Sequence, residues 1–185
     1  MNKLIIQFEG TDGTGKTTIA RAFSNFLWSK NYHNRYVHYP SDERKQKMLS
    51  GGYSSQEVKD LDFMEEILDI RNRKPEKILV EDRGLLSTAV YGSEVTRPAV
   101  IKLIEKVERN TVLVYCDHIY DETKNENILD TNKLKYRNIY RKLLYGHGLA
   151  YVYKRFIELT KPASTTSIVE KLYEEVKDLL GETHV

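Results

Sequence analysis

The sequence predicts an α/β protein, a three-layer α/β/α sandwich around a five-stranded parallel sheet. Two patterns and one ratio predict it. Short apolar runs, β-branched or aromatic, recur along the chain, and stretches with apolar residues three and four apart separate them. Hydrophobic residues make up 40% and charged residues 30% of the 185 positions, which suits a packed core under a solvated surface. Nearly continuous apolar runs fit strands buried on both faces, and strand–helix alternation puts helices on both sides of a parallel sheet.

Taken in order, the first strand is read at Leu4 to Phe8, before a helix on which Ile19, Ala22, Phe23, Phe26 and Leu27 share a face. Tyr36 to Tyr39 is the second strand. A helix carrying Leu61-Asp62-Phe63-Met64 leads to a third strand at Ile78 to Val80. Val100, Ile104 and Val107 mark another helix, and Val112 to Cys116 the fourth strand. The fifth strand is placed within Leu149 to Ile157, although Lys154 and Arg155 interrupt it. The closing helix starts at Thr165, with Ile168, Leu172, Val176 and Leu179 in one stripe and Ser164 or Thr165 as its cap. Ligands of such open sheets bind outside the carboxyl ends of the strands.

The length implies one domain, residues 1–185. With 29 basic and 27 acidic residues the net charge is +2, so bulk electrostatics selects neither nucleic acid nor membrane as partner. A single cysteine, Cys116, excludes an internal disulfide framework and a multi-cysteine zinc site. The five histidines show no paired spacing suited to a metal. The opening apolar run is too short for a signal peptide or a membrane span, and Glu9 interrupts it, so a soluble, cytoplasmic protein is expected.

Gly10-Thr11-Asp12-Gly13-Thr14-Gly15-Lys16-Thr17 has the spacing G-x-x-x-x-G-K-[ST]. It follows the first strand and opens the first helix, the context a phosphate loop requires. Glycines let successive backbone N–H groups approach a polyphosphate, and the helix adds its positive end. Lys16 reaches the β- and γ-phosphates, and the Thr17 hydroxyl holds Mg²⁺. ATP and Mg²⁺ are therefore the expected cofactors. Downstream, the strand in Lys77-Ile78-Leu79-Val80-Glu81-Asp82-Arg83 ends in acids. Asp82 there orients Mg²⁺ or accepts a proton, and the planar fork of Arg83 matches phosphate oxygens.

These residues carry a resemblance. Glu9-Gly10-Thr11-Asp12-Gly13-Thr14-Gly15-Lys16-Thr17-Thr18 resembles the E-G-x-D-G-x-G-K-[ST]-T loop of the thymidylate kinase family. Asp82-Arg83-Gly84-Leu85-Leu86-Ser87-Thr88-Ala89-Val90-Tyr91 resembles its D-R-x-x-x-S-x-x-[AV]-Y segment, and Arg137-Asn138-Ile139-Tyr140 its R-x-x-Y helix. The order and approximate spacing hold over nearly the whole chain. The resemblance implies a P-loop kinase fold, Mg²⁺-dependent transfer of the ATP γ-phosphate to a deoxynucleoside monophosphate, and a homodimer. It also implies a lid at about 117–147. By the same resemblance Asp12 binds near the acceptor sugar's 3′-hydroxyl and Arg83 touches phosphates. Ser87 lies near the base, Tyr91 beside the sugar, and Phe63 stacks on the base.

Three departures from the family pattern stand out. The family's base-reading arginine, four residues after the stacking Phe, is Ile67 here, leaving Arg71 or Arg73 as alternatives. The family's arginine just past Phe-Pro or Glu-Pro is displaced in Tyr39-Pro40-Ser41-Asp42-Glu43-Arg44, so Tyr39 and Arg44 are the candidates facing the acceptor. The lid segment before Arg137 holds only Lys124, Lys133 and Lys135, and position 13 is glycine, so Arg137 or Arg141 is left to supply transition-state charge.

From Lys133 to Arg155 seven basic residues and no acid alternate with five tyrosines. One reading is a lid helix meeting ATP phosphates; another is a polynucleotide groove in which tyrosines stack bases. The competing functions are a deoxynucleoside kinase, suggested by Glu81-Asp82-Arg83, a kinase acting on a base or terminus within DNA or RNA, and a nucleotide-dependent switch.

Overall fold

The computed structural model describes residues 3–117, 131–160 and 163–181. Five strands, β1 (Leu4–Glu9), β2 (Asn34–His38), β3 (Ile78–Asp82), β4 (Thr111–Cys116) and β5 (Arg155–Leu159), form one sheet. All neighbours are parallel, in the order β2-β3-β1-β4-β5. The helices are α1 (Lys16–Ser29), α2 (Asp42–Leu49), α3 (Gln56–Arg73), α4 (Leu85–Tyr91), α5 (Arg97–Val107), α6 (Thr131–Arg141) and α7 (Thr165–Gly181). The predicted α/β sandwich with a five-stranded parallel sheet is the one observed.

The two faces of the sheet follow from the period of two in its strands. Leu4, Ile6 and Phe8 of β1 join Ile78, Val80, Val112 and Val114 in a core with Phe23 and Leu27 of α1 and Leu172 and Val176 of α7. Phe8 and Phe23 are fully buried, with ring centroids 6.1 Å apart. Burying each is worth about 1.5–3 kcal/mol. The alternate residues Leu113 and Tyr115 pack on the opposite face against α3, α4, α5 and α6. Gln7 and Glu9 fall on that second face by the same alternation, so two polar side chains are buried where a core residue would otherwise sit.

The second face also holds a buried ionic cluster. Arg71, near the end of α3, donates from Nε and Nη2 to Glu81 at 2.9 and 2.7 Å. Its Nη1 donates to Glu108 at 2.9 Å, and Nη2 also donates to Gln7 at 3.0 Å. Thr111 Oγ1 donates to the other Glu108 oxygen at 2.5 Å. The cluster locks α3 to β1, β3 and the turn before β4.

Two strand starts differ from the sequence reading by two residues or more. β2 starts at Asn34 rather than Tyr36, because Asn34 pairs with Ile78 while Ser24 of α1 satisfies its buried amide. β5 begins only at Arg155. Gly148, at φ 73°, turns Leu149–Tyr151 into a single 3₁₀ turn, and the register with β4 runs from Val112↔Arg155 to Cys116↔Leu159. The closing helix is capped as expected, with Ser167 N–H donating to Ser164 Oγ at 3.2 Å. The lid segment expected at about 117–147 lies partly outside the described residues, which include Asp117 and 131–147 of it. Among the described residues no helix is long and apolar enough to cross a membrane.

β1 lies between β3 and β4; the connection after β1 leads to β2 at one edge of the sheet, and the connection after β3 leads past β1 to β4 in the other half. That arrangement opens a crevice at the carboxyl ends of β1 and β3.

Candidate active site

The segment after β1 forms an open loop ending in α1. Gly10 lies at φ 146°, and a Cβ there would stand 2.4 Å from the Cys116 carbonyl oxygen, so only glycine lets the loop cross beside β4. Gly13 and Gly15 also have positive φ, 82° and 78°. Thr14 Oγ1 donates to the Thr11 carbonyl at 2.9 Å and braces the loop. Lys16 is buried at the start of α1, and its ammonium donates to the Thr11 carbonyl at 3.1 Å and lies 3.5 Å from Asp12. Burial, with the Arg83 guanidinium nearby, pushes the Lys16 ammonium below its usual range.

The end of β3 faces this loop. Asp82 is fully buried; its Oδ2 accepts from Tyr36 OH at 3.1 Å and lies 2.9 Å from His38 Nδ1. Thr17 lies beside this carboxylate. Burial raises the Asp82 carboxyl, but the His38 and Thr17 contacts and the Lys16 charge outweigh it and hold it below its usual range. Asp82 Oδ1 is buried without a hydrogen-bond partner among the described residues. An unsatisfied carboxylate oxygen beside a threonine hydroxyl fits Mg²⁺, which takes few protein ligands and completes its shell with water and phosphate oxygens.

Arg83 follows at φ 74°, a conformation that side chains rarely adopt, pinned by its own N–H donating to the Phe8 carbonyl at 2.9 Å. Its guanidinium bridges two regions. Nη2 pairs with Asp12 of the loop, Nη1 donates to Ser87 Oγ at 3.3 Å, and the group lies 5.1 Å over the Tyr91 ring. Behind it Glu9 is fully buried and accepts from Gln7 Nε2 at 2.8 Å, Ser87 Oγ at 2.5 Å, Ser87 N–H at 3.1 Å and Tyr140 OH at 2.9 Å. Burial pushes the Glu9 carboxyl above its usual range against these hydrogen bonds.

From Arg83 a cavity of about 670 Å³ runs between α3 and α4, lined by Tyr39, Phe63, Ile67, Ser87, Thr88 and Tyr91, and by Asp12, Lys16 and Thr17 at its loop end. That volume is typical of a small-molecule site. A second groove of about 590 Å³ adjoins it through Thr17, His38 and Lys45 and carries Arg21, Arg35 and Lys74.

With this geometry established, three comparisons bear on the chain. The model of the AAA_28 family, described as an AAA domain, matches residues 5–154. The chain belongs to this AAA-domain family. The AAA-domain chain is also 27% identical over 200 residues to the "Probable thymidylate kinase" of Methanococcus aeolicus, covering 95% of this chain and 98% of that one. In fold it is similar to thymidylate kinase from Candida albicans, with a TM-score of 0.69 at 13% identity over 100% of this chain and 94% of that one. Thymidylate kinase from Ehrlichia chaffeensis gives 0.66 at 16% identity, covering 96% and 100%. Motifs and fold together make the AAA-domain chain a thymidylate kinase-like P-loop protein.

Within this family framework, the residues expected in the site divide into two groups. Asp12, Gly13, Gly15, Lys16, Thr17, Tyr39, Phe63, Arg83, Ser87 and Tyr91 line the one cavity. Asp82 stands at its edge, in contact with Thr17 and His38. Four arginines are placed differently. Arg71 does not face the cavity, because the ionic cluster with Glu81 and Glu108 consumes its guanidinium beneath the sheet. Arg44 turns outward to Asp62 and Glu66, at 3.0 and 3.2 Å, and its neighbour Lys45 lines the cavity instead. Arg137 and Arg141 of α6 both turn to Asp117, at 2.6 and 3.5 Å. Thr18 is exposed in the first turn of α1.

The sequence reading gave no role to His38, Lys45, Glu9 or the Gln56–Asp60 pair. A signal existed for Glu9: it and Gln7 interrupt the apolar face of a buried strand at alternate positions, which marks polar groups with partners inside. Asp60 accepts from Gln56 Nε2, Ser93 N–H and Thr96 Oγ1, at 2.6, 2.7 and 2.6 Å, which ties α3 to the turn after α4. Nothing in the linear spacing announces that tie.

Proposed function

We propose that the protein transfers the γ-phosphate of ATP, with Mg²⁺, to a deoxynucleoside monophosphate held in the cavity between α3 and α4. The observation that carries this reading is Arg83, which reaches Asp12 of the phosphate loop on one side and Ser87 and Tyr91 of the cavity on the other. A guanidinium in that position touches donor and acceptor phosphates together and aligns them. Backbone amides of the loop and Lys16 hold the triphosphate. Thr17 and Asp82 hold Mg²⁺, which neutralises charge on the β- and γ-phosphates when bound. Phe63 stacks on the acceptor base, and Tyr39 and Tyr91 close the sides of the pocket.

Ile67, fully buried in the cavity wall, places methyl groups where the family resemblance expects an arginine. Base choice then rests on shape and stacking, which separate close analogues by only about 10–200-fold. Glu81 faces away into the Arg71 cluster, so the acidic corner that suggested a free-nucleoside acceptor is not assembled at the cavity. The test is an ADP-release assay with each deoxynucleoside and ribonucleoside monophosphate, with thymidine, and with a 5′-phosphorylated oligonucleotide. Acceptor-stimulated turnover with one or more monophosphates is expected. Turnover with thymidine or the oligonucleotide alone, or with none of them, would overturn the reading.

A further inference from the structure

Asp82 is held from the edge strand of the sheet. β2 pairs with β3 so that His38 stands beside Asp82 and Tyr36 beside Val80, and residues two apart share a face. Both side chains therefore reach the same carboxylate. Tyr36 OH donates to Oδ2 at 3.1 Å, and His38 Nδ1 lies 2.9 Å from that same oxygen. An ionised carboxylate only accepts, so the His38 contact is an Nδ1–H donation. The two donors take both lone pairs of Oδ2, while Oδ1 is buried with no partner among the described residues. Core packing does not account for the histidine. Its side chain is 28% exposed and borders both the acceptor cavity and the second groove.

We propose that His38, with Tyr36, is a positioning residue that makes Asp82 a one-oxygen ligand for a small divalent cation. This rests on the metal half of the function proposed above. A carboxylate held at Oδ2 can neither chelate with both oxygens nor exchange one for the other. Mg²⁺ suits such a ligand, because it asks for near-octahedral geometry and keeps several waters. Ca²⁺ takes about six to eight oxygens and often both from one carboxylate, so a locked Oδ2 disfavours it. The choice of cation is thus built from β2, one strand away from the ligand it holds.

The experiment compares wild type, His38→Ala, His38→Asn and Tyr36→Phe as full chains, with circular dichroism to confirm folding. Mn²⁺ bound with ADP is followed by electron paramagnetic resonance, and Mg²⁺ and Ca²⁺ are titrated against it. Wild type is expected to favour Mg²⁺ over Ca²⁺. In His38→Ala, Mg²⁺ affinity should fall about 10–100-fold, as when a group that orients a metal ligand is removed. Ca²⁺ affinity should hold or rise, since Oδ2 regains a lone pair. Tyr36→Phe, which deletes a single oxygen, should shift the preference the same way. His38→Asn keeps an N–H donor near the Nδ1 position and should restore most of the wild-type preference. With whichever monophosphate turns over, the Mg²⁺ needed for half-maximal rate should rise in His38→Ala while the acceptor KM stays within about twofold. An unchanged preference in His38→Ala, equal weakening of both cations, failure of His38→Asn to restore it, or no Mn²⁺ binding by wild type would each overturn the proposal. Transfer to a monophosphate with a cation preference indifferent to His38 would keep the proposed function and refute this role. A His38-dependent preference without transfer to any monophosphate would uphold the role and refute the acceptor assignment.

Discussion

Arg83 takes a left-handed backbone conformation at φ 74° that costs an arginine about 1–3 kcal/mol relative to an ordinary one. The Phe8 carbonyl and the Asp12 and Ser87 side chains hold it there, at the junction of the loop and the cavity. Its neighbour Asp82 points to the other face of the sheet, toward α1. Together the two residues split the end of β3 into a metal side and a phosphate side. Because His38, Thr17 and Lys16 hold the Asp82 carboxyl below its usual range despite burial, it stays ionised at neutral pH. The stability it contributes is fully present above its unfolded pKa, near ~4, and is lost as pH falls through the lower folded value. Urea unfolding between pH 7 and pH 3 measures this. Wild type should lose stability more steeply than Asp82→Asn below about pH 4; equal slopes would mean the carboxylate is not favoured in the folded state.

Among the elements, β1 and α3 show how far a linear pattern reaches. The phosphate loop was legible because its chemistry is local: glycines, lysine and threonine lie within eight residues between a strand and a helix. Phe63 was legible as an aromatic on a helical face. Arg71 was not, although it continues the face of Phe63 and Ile67 by four-residue steps. The face that opens to the cavity at Phe63 is closed by the sheet at Arg71, where Glu81, Glu108 and Gln7 converge from three separate segments. β5 was misplaced for a similar reason, since pairing with β4 and the turn at Gly148 fix its start while local hydropathy does not. If Arg71 serves structure, Arg71→Met leaves two buried carboxylates without their cation and should cost about 3–5 kcal/mol by chemical denaturation. A loss below about 1 kcal/mol would contradict that role, since a buried pair broken on one side does not come so cheaply.

For the whole molecule, the strand order β2-β3-β1-β4-β5 brings the loop after β1 and the end of β3 to one crevice, with α3 and α4 walling the acceptor side. One sheet face is packed by α1 and α7. The other carries Glu9, Ser87 and Tyr140 in one network, so the loop, α4 and α6 are joined through a single buried carboxylate. The central claim is that donor and acceptor occupy two halves of one continuous site joined at Arg83. A two-ended inhibitor, adenosine linked through a chain of phosphates to a deoxynucleoside, tests it most directly by steady-state inhibition. Competition against both ATP and the monophosphate acceptor is the expected result, with affinity well above that of either nucleotide alone. Competition against ATP only, with the acceptor KM unmoved, would contradict a continuous site.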